Sequence, residues 1–231
     1  MTQAGLATTR FKICCIATSE EARLAIRHGA SAVGLVSAMP SGPGPIPEER
    51  IREIAATLPP AAGSFLLTSL QQVAGIVAQL RRCGTNTIQL CDRLPPGTLP
   101  QLRAALPGVS LVQVVHVTGE EALADALEVA PLVDAVLLDS GDPTAPVKRL
   151  GGTGRTHDWT ISARIRQAVS VPVYLAGGLK ADNVGAAIRA VRPFAVDVCS
   201  GVRTGDRLDA EKLAAFVSSV QAVGRGCDRT T

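Results

Sequence analysis

Asp139 closes the apolar run AVLLD. A carboxyl group at the tip of a buried strand can hold or release a proton for a bound molecule, although Asp also caps helices and forms turns. The stretch SGDPTAPVKRLGGTGRTHDW follows it to Trp159 and is longer than an ordinary strand-to-helix connection. Loops of that length serve as lids or binding loops, and Gly152 and Gly154 of its GGTG could hinge the loop or meet a ligand. Cys14 lies at the end of another apolar run. A thiol there can act as nucleophile or base if its neighbours favour the thiolate; taken alone it reads as a small core residue. Cys15, Cys83, Cys199 and Cys227 read as core residues too, and His28, His116 and His157 suggest no role.

The elements that must position these groups alternate along the whole chain. Strands are expected near Phe11–Ile16, Ala32–Val36, Gly63–Thr68, Thr87–Leu90, Val109–Val115, Ala135–Asp139, Val171–Ala176 and Ala195–Cys199. Between them, apolar residues fall at helical spacing. Ala22, Leu24, Ala25 and Ile26 lead to Gly29 as a helix end requires, and Pro47-Glu-Glu opens another helix. Runs such as VDAVLLD and VPVYLAG are apolar on both faces, as parallel strands covered by helices are. Eight such strands predict one (β/α)₈ barrel over residues 1–231, with an ordered core of about 10–223 and frayed ends at Met1–Thr9 and Gly224–Thr231. The rival, an open doubly wound sheet, usually carries a glycine fingerprint after its first strand, where this chain has CCIATSEE.

Barrels of this kind work at the C-terminal ends of their strands. There the chain has AGGL after the seventh strand, with Gly177 and Gly178, and Asp197-Val-Cys-Ser-Gly after the eighth, with Ser200 and Gly201. Glycines can simply make tight turns. Two such loops at two neighbouring strands instead suggest backbone amides opened to a phosphate, so a phosphorylated small molecule is the expected partner.

Composition narrows the alternatives. Aromatic residues are 3% and the net charge is +3, with the basic residues scattered, which does not suit nucleic acid. The six cysteines form no CxxC pair and no zinc-ligand spacing with a histidine, so no metal is expected. No apolar run approaches a membrane span, and MTQAGLATTR lacks the apolar core of a signal peptide. The expectation is a cytoplasmic protein with reduced thiols, a monomer or homodimer, with no membrane partner.

Taken together these residues resemble the phosphoribosylanthranilate isomerase family of tryptophan biosynthesis, from Lys12 to about Val220. KICC at 12–15 is similar to the family's KICG, and GASAVGLV at 29–36 to its second strand. LLD at 137–139 with GGTGRTHDW at 151–159 is similar to its LLD and GGSGKTFDW. LAGGLKADNV at 175–184 and RPFAVDVCSGV at 192–202 are similar to its last two strands, which bind phosphate. The resemblance implies an Amadori rearrangement of an N-(5-phosphoribosyl) amine to its 1-deoxyribulose form. It implies that Asp139 is the acid that opens the ribose ring and Cys14 the base that takes the C2 proton. No cofactor is implied, because the protonated imine is itself the electron sink.

The likeness breaks on the side that would hold the aromatic amine. The family's Ser-x-Arg-x-Ile, whose arginine meets the anthranilate carboxylate, is here SGPGPI at 41–46. Its QLHG is QLCD, putting Cys91 in place of histidine, and its FVN is LLT, putting Thr68 in place of asparagine. Arg93 is the nearest cation in sequence to replace the lost anchor. Three readings follow: an isomerase of phosphoribosylanthranilate with a different anchor, a relative acting on another phosphorylated sugar or amine, or a non-catalytic phosphosugar-binding protein. The retained Cys14 and Asp139 argue against the third.

Overall fold

The computed structural model describes residues 9–142, 144–152 and 154–226. Residues 1–8 and 227–231, which include most of the ends expected to fray and Cys227, lie outside the described residues. Residues 224–226 continue the last helix instead.

Eight parallel strands close into a barrel in sequence order. They are β1 (Arg10–Ile13), β2 (Ala32–Val36), β3 (Gly63–Thr68), β4 (Thr87–Leu90), β5 (Ser110–His116), β6 (Ala135–Asp139), β7 (Val173–Leu175) and β8 (Ala195–Val198). Closure is made by β1 on β8, with Phe11 opposite Val196 and Ile13 opposite Val198. The strands expected at Ala32–Val36, Gly63–Thr68, Thr87–Leu90 and Ala135–Asp139 coincide with those observed. Two are shorter for local reasons. β1 stops at Ile13 because Cys15 adopts a left-handed backbone, φ +61°. β7 starts at Val173 because Pro172 has no N–H to give a ladder.

Each strand is followed by a helix: α1 (Ser19–Arg27), α2 (Glu48–Ala56), α3 (Val73–Cys83), α4 (Thr98–Ala105), α5 (Glu121–Val129), α6 (Trp159–Ala168), α7 (Val184–Val191) and α8 (Ala210–Gly226). Thr18 caps α1 by accepting from the Glu21 N–H, and Gly29 at φ +91° turns the chain after it, as the spacing predicts. Pro47 sits just before α2 at the cap position. The helices bury residues such as Ile51, Ile54, Ile76 and Leu102 against the outside of the barrel. A smaller inner cluster around Phe65, Leu67, Val112, Leu137 and Leu150 lies inside it, next to Cys14 and Cys91. No described helix is long and apolar enough to cross a membrane.

Candidate active site

The C-terminal ends of β1, β2, β3, β4, β6, β7 and β8 surround one pocket. Cys14 enters it from the end of β1 and Asp139 from the end of β6, across the barrel mouth with β7 and β8 between them. Gly152, Gly154, Gly177, Gly178, Asp197, Ser200 and Cys91 line the same pocket.

Asp139 is fixed by its own turn, its Oδ1 accepting from the Ser140 N–H at 2.7 Å. Surrounding protein strips water from the carboxyl and raises its pKa, an effect that the Ser140 N–H and nearby His116 only partly offset. A carboxyl that holds its proton above the ordinary range suits a general acid. His116, the last residue of β5, pairs in register with Asp139, and its Nε2 bonds the Cys91 carbonyl at 3.0 Å. That carbonyl can only accept, so Nε2 carries the hydrogen. His116 gave no signal in the sequence; its parallel register with AVLLD, from the strand before it, is what could have found it.

Beneath Cys14 lies a buried ion pair, Lys12 Nζ to Asp197 Oδ2 at 2.6 Å. Burial alone would lower the lysine's pKa, but Asp197 and the neighbouring thiols outweigh it and leave it raised. A side chain at Gly34 would meet Cys14 Sγ at 2.9 Å and Lys12 Cε at 3.2 Å, so this glycine makes room for both. The other carboxylate oxygen, Asp197 Oδ1, is buried without a partner, a free acceptor on a residue that lines the pocket.

The glycine loops behave as close-approach elements. Gly177 and Gly178 both have left-handed φ, +84° and +59°, and Asn183 Nδ2 donates to the Gly178 carbonyl at 2.9 Å. A Cβ at Gly178 would lie 2.6 Å from the Arg155 carbonyl carbon, in the long loop after β6. Gly201 abuts the Leu179 carbonyl, which brings the loops after β7 and β8 together; it packs behind the pocket wall, while Ser200 lines it. The loop from Ser140 to Asp158 reaches over the mouth with Leu150, Gly151, Gly152 and Gly154. It is held by Lys148 on Asp92 at 2.5 Å and by Ser41 Oγ donating to the Lys148 carbonyl at 2.5 Å.

Two residues expected on the amine side do not reach the pocket. Arg93 points outward, with its guanidinium on Asp125 at 2.7 Å and Glu128 at 2.7 Å, because α5 presents both acids beside it. Thr68 is buried, and its Oγ1 accepts from the Leu70 N–H at 3.2 Å. Cys91 does line the pocket; burial is the main cause of its raised pKa, so it stays a neutral thiol. The wall it shares with Val36, Met39, Leu67 and Leu150 is mostly apolar, with Gln89 and Ser41 as its polar side chains. Among the described residues lining the pocket there is no Lys, Arg or His.

Residues 11–219 match the family model described as N-(5'phosphoribosyl)anthranilate (PRA) isomerase. An N-(5'-phosphoribosyl)anthranilate isomerase of Haloferax volcanii is 38% identical over 222 residues, covering 95% of this chain and 96% of that protein. Among solved structures, a phosphoribosyl anthranilate isomerase in complex with reduced 1-(o-carboxyphenylamino)-1-deoxyribulose 5-phosphate has a TM-score of 0.77. It is 27% identical and covers 93% of this chain and 99% of its own. A monomeric form of the dimeric enzyme of Thermotoga maritima has a TM-score of 0.76 at 26% identity, with coverage of 93% and 99%.

Proposed function

Because this chain belongs to the N-(5'-phosphoribosyl)anthranilate isomerase family, we propose that its pocket performs that isomerisation with Asp139 as acid and Cys14 as base. The substrate's phosphate sits on the loops after β7 and β8, at Gly177, Gly178 and Ser200, with Gly201 packed behind them. Asp139 protonates the ring oxygen, the ring opens to an iminium, and Cys14 removes the C2 proton to give an enol-amine that becomes the ketone. The protonated imine takes up the electron pair, so the step draws on no cofactor. Asp197, with its free Oδ1, accepts a hydrogen bond from a ribose hydroxyl, while Gly152 and Gly154 bring the long loop over the sugar. The observation that carries this reading is Cys14 and a proton-holding Asp139 lining one pocket from β1 and β6.

A second reading concerns the amine. No cation lines the described pocket, and its β2–β4 wall offers only Gln89 and Ser41 as polar side chains, which suits an amine lacking the anthranilate carboxylate. Returning an arginine to the loop after β2 separates the two. Gly44 is unsuitable, since its φ is +87° and a Cβ would lie 2.7 Å from Cys15 Cβ; Pro43 is exposed and borders the pocket. The test is kcat/KM on phosphoribosylanthranilate for wild type and Pro43→Arg, with complementation of a tryptophan auxotroph. Strong wild-type activity supports an anthranilate enzyme. Weak activity that rises in Pro43→Arg supports a relative adapted to another amine. The protein is read as cytoplasmic, and as a monomer or a homodimer; sedimentation decides the assembly.

A further inference from the structure

Two thiols at the pocket mouth take no part in the chemistry above, and one is held against its backbone preference. Cys15 Sγ and Cys199 Sγ lie 2.6 Å apart, closer than two unbonded thiols pack. Cys15 has φ +61°, a conformation that suits glycine and crowds any residue with a Cβ. The neighbouring loop also gives way to it, since Gly44 has no side chain where a Cβ would meet Cys15. The chain thus keeps a strained cysteine, and the result is a sulfur aimed at Cys199. Both residues follow the strands that close the barrel, in which Ile13 is opposite Val198. Counting on from that pair puts Cys14 opposite Cys199 and Cys15 one residue further, and the left-handed backbone at Cys15 turns its sulfur onto Cys199.

We propose that Cys15 and Cys199 form a dithiol site for small disulfide oxidants, closing reversibly to a bridge that ties β1 to β8 across the pocket mouth. Both residues line the pocket, so an oxidant entering the mouth meets them. Cys199 is the more exposed and reacts first. Its pKa is lowered, chiefly by Cys15 and, against burial, by the Arg203 guanidinium. Cys15 is shifted upward, chiefly by Cys14 and Cys199 and also by burial, so Cys199 is the thiol that ionises first. The Cys199 thiolate attacks one sulfur of glutathione disulfide, forming a mixed disulfide and expelling one glutathione thiolate. Cys15 then gives up its proton and attacks Cys199 Sγ, expelling the second. Two protein thiols lose two electrons and two protons, and one glutathione disulfide becomes two glutathione thiols. The bridge joins the residue after the base Cys14 to the residue before Ser200, so it acts on both ends of the bound substrate.

The full chain is equilibrated in glutathione buffers of increasing oxidation, alkylated and digested with trypsin. The expected product links the peptide Ile13–Arg23 to Ala190–Arg203 through Cys15 and Cys199, with Cys14 still alkylated. The intact mass falls by about 2 Da and dithiothreitol restores it. Cys15→Gly relieves the left-handed strain, so it folds, and it should stop at a glutathione adduct on Cys199. This readout needs no substrate and stands apart from the isomerase reading. A link through Cys14, no link under oxidising buffer, or an adduct in wild type that never resolves overturns the proposal. The bridged protein should also turn over phosphoribosylanthranilate more slowly until reduced; an equal rate in both forms overturns the bridge's action on the pocket.

Discussion

In the proposed mechanism Asp139 donates a proton, and its surroundings decide whether it holds one near neutrality. Loss of water around the carboxyl raises its pKa, so its charged form is the costly one. Two consequences have opposite signs. For catalysis, the acid limb is the active one, and kcat falls as pH rises through that raised value. For stability, a raised folded pKa contributes below the ordinary carboxylate range and is lost as pH climbs through the folded value. Asp139→Asn should therefore lower kcat by roughly 10²-fold or more, as loss of acid catalysis does. It should also raise Tm above that of wild type at pH 8, with the difference vanishing near pH 4, since Asn keeps the acceptor for Ser140 without the charge. Thermal melts at the two pH values check it; a variant less stable at pH 8 contradicts the account of the shift. Cys14→Ser should cost a similar factor in kcat, because a hydroxyl is a far weaker acid than a thiol.

At the scale of elements, the barrel closes through β1 and β8, and the Lys12–Asp197 pair sits inside that seam with side chains 0% and 6% exposed. Removing one partner strands a buried charge, a loss of about 3–5 kcal/mol. Lys12→Met should lower stability by that amount, and adding Asp197→Asn should recover part of it; denaturant melts of the three proteins decide. Additive losses would mean the two do not act as a pair. The glycine loop after β7 gives a second prediction here. Gly178→Val meets both a φ of +59° and the Arg155 backbone, so the loop must shift. KM should rise about tenfold or more with a smaller change in kcat, as lost ground-state contacts produce. Much of this scaffold was legible beforehand, because strands covered on both faces write continuous apolar runs and helix ends write Gly29 and Pro47-Glu-Glu. What was not legible joins distant residues. Lys12 and Asp197 are 185 positions apart, and Arg93 is drawn outward by acids on α5 that only the packing brings beside it. The early end of β1 was hidden for a different reason: ICCI reads as strand, and nothing in residue type announces a left-handed cysteine.

On the proposed reading the pocket divides into a sugar-phosphate end on β6–β8 and a mostly apolar end on β2–β4, joined by the loop after β6. That Cys14, Asp139, Gly177, Gly178 and Ser200 face one pocket was readable, because residue type at strand tips announces it. The amine end was not, because the expected anchors Thr68 and Arg93 make other bonds and a mostly apolar wall stands in their place. If binding energy resides mainly at the phosphate end, ligand-induced stabilisation should follow the phosphate loops and ignore the acid–base pair. A ligand that binds only the folded chain at 100 times its Kd stabilises by about 2.7 kcal/mol. For a chain of 231 residues each kcal/mol moves Tm by about 2–4 °C, so a shift of roughly 5–11 °C is expected. The probe is the reduced 1-(o-carboxyphenylamino)-1-deoxyribulose 5-phosphate bound by the related enzyme. Cys14→Ser and Asp139→Asn should show the same shift as wild type, whereas Gly178→Val should show little at the same concentration. The same compound without its phosphate should shift none of them appreciably, while its analogue without the ring carboxylate should shift wild type nearly as far, since no described cation awaits that group. A large loss on removing the carboxylate would show that an anchor outside the described lining holds it, and the apolar end would then have to be rebuilt around that anchor.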